Sequence, residues 1–144
     1  MKVSIEEIDR DQEEEILIRC YEVTHEIHEI VNTIHMDNPI LPGYLNDTIH
    51  RVKLSDIYYF EAVDGKVFFY CKDQVFEVKQ KLYELETMCS KKCFRASKST
   101  IINIAKISTI YPTISGRFEA ILDNSERLVI SRQYVPVLKE KLGL

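Results

Sequence analysis

The fold is decided by residues 57–71, which read IYYFEAVDGKVFFYC. Aromatic and β-branched residues dominate both halves of this stretch, and such residues are enriched in strands. Between the halves stands Asp64-Gly65, a pair that favours a tight turn because both positions of such a turn require a positive φ. The stretch therefore predicts a hairpin with strands at residues 57–62 and 66–71.

Further short strands and two small helices are predicted on the C-terminal side of this hairpin. Residues 79–89 are good helix formers, with Leu82, Leu85 and Cys89 on one side. Strands are predicted at 74–78, extended segments at 94–104 and 107–111, a second hairpin at 117–122 and 127–130, and a helix after Ser131 with Pro136 in its first turn. This order favours a mainly β fold, α+β overall, of short antiparallel strands with small helices.

The N-terminal segment has a different pattern. Residues 2–8 and 16–18 are predicted to be strands, and Val23, Ile27, Ile30, Val31 and Ile34 recur at helical spacing, which predicts an amphipathic helix over residues 22–35. Proline and glycine between residues 38 and 43 are typical of a boundary. We therefore divide the chain into a small strand-strand-helix segment, 1–50, and a second domain, 51–144.

Charge is unevenly distributed between these two parts. The whole chain carries −4, but residues 1–50 hold three Lys and Arg against twelve Asp and Glu, whereas residues 51–144 hold sixteen against eleven. Residues 87–118 contain six basic side chains and no acid. This window is either a solvated surface or a surface for nucleic acid, where a carboxylate beside a phosphate would oppose binding.

The sequence contains no recognisable catalytic or cofactor-binding pattern. The four glycines are isolated, which excludes a glycine-rich phosphate loop, and the four histidines lie upstream of residue 51, away from three of the four cysteines. We expect no enzyme activity, no cofactor, no metal site and reduced structural cysteines. No apolar run approaches the length of a membrane span and no signal peptide is recognisable, so we expect a cytoplasmic protein.

Two short motifs combine cationic side chains with groups that can hydrogen-bond to DNA. The first is FRASKSTIIN at residues 94–103, in which Arg95 and Lys98 bracket small hydroxyl residues. The second is VISRQ at residues 129–133, where a strand leads into a helix and Arg132 and Gln133 project. Arginine is the commonest side chain that reads guanine, and serine and lysine bind phosphates and base edges. A surface loop with incidental charges is the alternative interpretation of the first motif.

With these motifs the chain resembles the LytTR (LytR/AgrA-type) DNA-binding domain family of bacterial regulators. The resemblance rests on four motifs in order between residues 54 and 142: DIYYFE at 56–61, LYELE at 82–86, FRASKSTIIN at 94–103 and VISRQY at 129–134. It implies a β-rich domain that reads successive major grooves through loops rather than through a recognition helix. The DNA-binding positions that it implies are Lys66, Arg95, Lys98, Ser99, Arg132 and Gln133.

The resemblance also implies how such a regulator works. It favours a stand-alone transcriptional regulator that binds promoter direct repeats in double-stranded DNA as a homodimer, with a membrane-bound regulatory partner in some members. The amphipathic N-terminal helix would pack within the chain or mediate dimerisation. The alternative function is a protein- or ligand-sensing regulatory module on a small β scaffold, in which the basic window binds an acidic partner without direct DNA readout.

Overall fold

The computed structural model of the protein describes residues 1–35 and 38–144. In these residues ten strands and three α-helices form. In chain order they are α1 (His25–His35), β1 (Ile40–Leu45), β2 (Thr48–Lys53), β3 (Tyr59–Val63), β4 (Lys66–Tyr70), β5 (Val75–Val78), α2 (Leu82–Met88), β6 (Cys93–Arg95), β7 (Thr100–Asn103), β8 (Ile107–Pro112), β9 (Phe118–Leu122), β10 (Arg127–Ile130) and α3 (Val135–Leu142). The expectation of a mainly β fold with small helices is confirmed.

The strands form two antiparallel sheets. The large sheet has the order β2-β1-β5-β4-β3-β7-β6, and the small sheet has the order β10-β9-β8. At the centre of the large sheet β3 and β4 form the predicted hairpin, with Tyr59 opposite Tyr70 and Val63 opposite Lys66. Asp64 and Gly65 have φ values of 51° and 78°, as the tight turn requires.

The central strands of the large sheet are covered on both faces, whereas β2 at its edge is largely exposed. Phe60 and Ile101 are neighbours on β3 and β7 and pack toward α2, whereas Tyr59 and Ile102 on the same strands pack toward the small sheet and α3. A strand covered on both faces needs apolar side chains at successive positions rather than alternate ones. The continuous apolar run at residues 57–60 therefore marks the centre of the fold.

The strands β1 and β2 are absent from the sequence prediction, which interpreted residues 38–43 as a boundary. Gly43 lies inside β1, where a Cβ atom would come within 2.6 Å of Phe69 Cζ and 2.8 Å of Phe76 Cβ. Here glycine allows the backbone to approach a buried aromatic side chain closely. The large sheet thus begins at Ile40. β2 includes residues 50 and 51, between which the sequence predicts the division into two parts, and this division stays a prediction.

The prediction of strands at residues 2–8 and 16–18 is wrong. Residues 1–24 have no regular secondary structure, and nearly all of them are exposed. A turn does form at Asp9–Gln12, closed by the Gln12 N–H donating to the Asp9 carbonyl at 3.0 Å. The two arms beside this turn are acidic and pack against no core, and an isolated strand pair is at best marginally stable. The predicted helix begins at His25, and its Ile27 side chain is buried.

The extended segment predicted at residues 94–104 is also corrected. It consists of two antiparallel strands, β6 and β7, with Phe94 opposite Ile102 and a turn at residues 96–99 between them. The remaining predicted elements are confirmed to within a few residues: β5, α2, β8, the β9–β10 hairpin and α3, where Pro136 lies in the first turn.

Candidate nucleic-acid interface

The turns that carry Lys66 and Lys98 lie at the same end of the large sheet. Because β3 and β7 run antiparallel, the end of β3 meets the beginning of β7, with Glu61 opposite Thr100. The Ala62 N–H donates to the Ser99 carbonyl at 2.8 Å, so the pairing continues into the turn itself. The sheet register therefore places the β3–β4 turn beside the β6–β7 turn.

A backbone hydrogen bond brings the junction of Arg132 to the same place. The Ser131 N–H, just beyond β10, donates to the Ala96 carbonyl at 2.8 Å. Ala96 is fully buried at the start of the β6–β7 turn. This bond joins the small sheet to the large one and brings the two motifs predicted from the sequence, around Lys98 and around Arg132, onto one surface.

A fourth loop, between β8 and β9, completes this end of the molecule. Residues 113–117 connect Pro112 to Phe118, which lies opposite Ile130 at the end of β10. Gly116 packs against the aliphatic part of Arg132: a Cβ atom at Gly116 would lie 3.1 Å from Arg132 Cδ. We call the four turns together (residues 63–66, 96–99, 113–117 and 131–133) the reader surface. The sequence analysis does not single out the turn at residues 113–117, although this turn lies within the acid-free basic window of residues 87–118.

Arg95 shapes the β6–β7 turn from inside. Its Nε donates to the Ser97 carbonyl at 2.8 Å and its Nη2 donates to the Lys98 carbonyl at 2.5 Å. Its Nη1 pairs with Glu86 Oε2 at 3.1 Å, and only 17% of the side chain is exposed. The Arg95 guanidinium therefore holds the turn that presents Lys98, whereas its direct contact with DNA stays a prediction.

The other five predicted contact residues are exposed on the reader surface: Lys66, Lys98, Ser99, Arg132 and Gln133. In the part of the chain that the structure describes, the ion pairs join His25 to Glu29, Arg95 to Glu86 and Arg127 to Glu119, so Lys66, Lys98 and Arg132 are not neutralised by a carboxylate. Exposed cations without acidic partners create a local positive potential that attracts phosphates. Asp64 beside Lys66 weakens this potential at the β3–β4 turn.

The cysteines have structural environments, with one exception. Cys89 and Cys93 are buried in the core, and their mutual hydrogen bond together with burial raises the pKa of the Cys93 thiol. Burial also raises the pKa of Cys71, to about 11, so that this thiol stays protonated and unreactive at neutral pH. Cys20 is exposed, contrary to the expectation of buried thiols. Among residues 1–35 and 38–144, no three His, Cys, Asp or Glu side chains are grouped to hold a metal ion.

The chain is similar to known proteins along most of its length. The family model described as the LytTr DNA-binding domain matches residues 47–143. Uncharacterized HTH-type transcriptional regulators of Staphylococcus aureus strains MSSA476 and MW2 are 28% identical over 137 residues, covering 94% of this chain and 93% of theirs.

A solved structure has the same fold. It is a LytTr DNA-binding domain of a response regulator from Bacillus cereus, with a TM-score of 0.70 and 27% identity, and the match covers 74% of this chain and 98% of that one.

None of the helices in the described residues is both long and apolar enough to cross a membrane.

Proposed function

Because this chain belongs to the LytTr DNA-binding domain family, we propose that it is a sequence-specific transcriptional regulator that binds promoter repeats through the reader surface. The family is one of DNA-binding domains and not of enzymes. The observation that carries the proposal is the Ser131–Ala96 hydrogen bond, which sets Lys98 and Arg132 on one surface. In this role Arg132 reads a guanine edge and Lys98 reads a neighbouring base, while Lys66, Ser99 and Gln133 contact phosphates or sugars.

Loops rather than a helix make the contact in this proposal. In the described residues α1 is followed by β1 and α2 is followed by β6, so neither of these helices is paired with the next in a helix-turn-helix arrangement. The relatives carry the designation HTH-type in their names. For this chain the proposed contact residues Lys66, Lys98 and Arg132 lie in or beside the connections at the ends of strands, which supports loop readout.

Salt dependence tests this function. We expect the chain to select a duplex from a random library and to bind it with an affinity that falls steeply with salt. Lys66, Lys98 and Arg132 bring three positive charges against the duplex, whether each contacts a base edge or a phosphate, so the logarithm of the binding constant should fall against the logarithm of salt concentration with a slope of about −3. The measurement is fluorescence anisotropy of the selected duplex from 50 to about 300 mM salt.

The alternative function makes the opposite prediction. A sensing module that uses its basic surface for an acidic protein would select no duplex sequence, and its residual binding would be equal for all DNA. That outcome would overturn the proposed function. A membrane-bound regulatory partner and a cytoplasmic location stay predictions.

A homodimer is part of the proposal, and exposed apolar side chains in the N-terminal segment support it. Val3, Ile5, Ile16 and Leu17 are all largely exposed, on the two arms beside the Asp9–Gln12 turn. Monomeric proteins rarely leave a cluster of large apolar side chains in water. These arms would pack against those of a second copy, which would suit paired repeats in DNA.

Light scattering during size-exclusion chromatography measures this association. The wild-type chain should elute with the mass of two copies, and the double substitution Ile16→Ser with Leu17→Ser should lower it to one. Ile49→Ser is the matched control, because Ile49 is an exposed apolar residue on β2 and not on the arms. A wild-type chain with the mass of one copy at all concentrations tested would rule out the homodimer.

A further inference from the structure

The β8–β9 loop presents an apolar side chain to solvent from a closed backbone. Ile114 is 89% exposed, and among the described residues from His25 onward no other large apolar side chain is as exposed. The loop is closed at its base, where both the N–H and the hydroxyl of Thr113 donate to the Arg117 carbonyl, at 2.8 and 3.1 Å. Ser115 and Gly116 both have positive φ values, 71° and 75°, which turn the chain sharply behind Ile114.

This loop lies against the arginine that the proposed function assigns to base readout. The Gly116 backbone contacts the aliphatic part of Arg132, and a Cβ atom there would be 3.1 Å from Cδ and 3.3 Å from Cγ. Ile114 is two residues from Gly116, which places their Cα atoms at most about 7 Å apart. Ile114 therefore lies on the same part of the reader surface as Arg132, and a base contacted by Ile114 would be near the base that Arg132 reaches.

The loop is chemically suited to approach DNA closely. Residues 113–116 (Thr-Ile-Ser-Gly) contain no carboxylate that would repel phosphates, and Ser115 and Gly116 are small. In the major groove the apolar feature among the base edges is the 5-methyl group of thymine, which apolar side chains contact. A closed loop also loses little conformational entropy when it binds.

We propose that Ile114 is a further specificity-determining residue, which packs on the 5-methyl group of a thymine near the base read by Arg132. This inference rests on the proposed function and adds a residue that the family motifs do not contain. It accounts for an exposed isoleucine at this position and for Gly116, which lets the loop lie against Arg132. In the bound state the Ile114 side chain and the thymine methyl leave water together.

Replacing thymine by deoxyuridine removes this methyl group alone. We expect that, along the selected duplex, one substitution near the base read by Arg132 lowers wild-type affinity roughly fourfold, as the burial of one methyl group predicts. The variant Ile114→Ala should bind the thymine duplex more weakly than wild type and be insensitive to that substitution. Ile49→Ala should behave as wild type, because β2 lies five strands from β7 in the large sheet.

The outcomes separate the two proposals. If the wild-type chain selects a duplex but Ile114→Ala binds every thymine and deoxyuridine version as wild type does, the inference is wrong and the proposed function stands. The inference would also be wrong if wild type and Ile114→Ala lost affinity equally at every deoxyuridine substitution. Ile114 would then contact something other than a thymine methyl group, such as a protein partner. If no duplex is selected, the proposed function fails and the inference fails with it. Thermal unfolding confirms that both variants are folded.

Discussion

Replacing both Lys98 and Arg132 with alanine is expected to abolish sequence-specific DNA binding while the protein stays folded. The two side chains lie on adjacent turns joined by the Ser131–Ala96 hydrogen bond, and both are exposed. A good contact with a base edge contributes about 1–3 kcal/mol of discrimination. Losing two should therefore weaken binding to the selected duplex by about 2–6 kcal/mol, or roughly 30-fold to 10⁴-fold, because each 1.4 kcal/mol is a factor of ten.

The measurement compares the selected duplex with a scrambled one at a single salt concentration. For the double variant, affinity for the selected duplex should fall to that for the scrambled duplex. The matched control is the double substitution Lys91→Ala with Lys92→Ala, which removes the same number of positive charges. These lysines precede Cys93, where β6 begins, whereas the β6–β7 turn lies at the other end of β6. Because these lysines lie away from the reader surface, the control lowers only the general electrostatic attraction to DNA, so any loss of affinity should be equal for the two duplexes. If the Lys98 and Arg132 variant also lost affinity equally on both, these side chains would be phosphate contacts and not base readers.

The second large effect concerns stability. Asn103→Ala is expected to lower the free energy of unfolding by about 3 kcal/mol, because Asn103 is buried and its side chain satisfies three backbone groups. Its Nδ2 donates to the carbonyls of Ile57 at 2.9 Å and Leu54 at 3.2 Å, and its Oδ1 accepts from the Ala105 N–H at 3.1 Å. Without Asn103 the Leu54 carbonyl keeps the Ile57 N–H as a partner at 3.0 Å, so the loss falls mainly on the Ile57 carbonyl and the Ala105 N–H. Each buried polar group left without a partner costs about 1–3 kcal/mol, which gives a sum of about 3 kcal/mol.

Urea denaturation measures this loss. Asn38→Ala is the control, since Asn38 also joins distant parts of the chain through two hydrogen bonds to Ser55, but in an exposed position. The control should lose less than about 1 kcal/mol, because water replaces the lost bonds. If Asn103→Ala also lost less than about 1 kcal/mol, then water or a shift of the backbone would satisfy the backbone groups that the Asn103 side chain binds. Per folded molecule, DNA affinity should be unchanged, since Asn103 lies at the end of β7 away from the reader surface.

The Asn103 example shows how one motif combines two kinds of residue. Residues 94–103 were interpreted as a DNA-binding motif, yet in the structure Phe94 and Asn103 belong to the core and Arg95 holds the turn. Lys98 and Ser99 are the members exposed on the reader surface. A sequence motif records which residues are needed together, whereas burial and hydrogen bonding decide which of them face solvent.

Local chemistry determined the elements that the sequence predicted correctly. The hairpin of β3 and β4 follows from two apolar strands around Asp64-Gly65, and α2 follows from helix formers with an apolar side. These features depend on interactions between residues close in the chain, so composition and spacing are sufficient to find them. The basic character of residues 87–118 and the four motifs of the family were likewise present in the sequence alone.

Tertiary structure decided the features that depend on residues far apart in the chain. Gly43 and Pro42 look like a turn until β1 packs against Phe69 and Phe76, and the N-terminal arms look like strands although they pack against no core. Likewise, Ala96 and Ser131 are 35 positions apart, and their hydrogen bond sets Lys98 beside Arg132. Sequence patterns report local preference, while strand pairing and burial depend on non-local contacts that outweigh it.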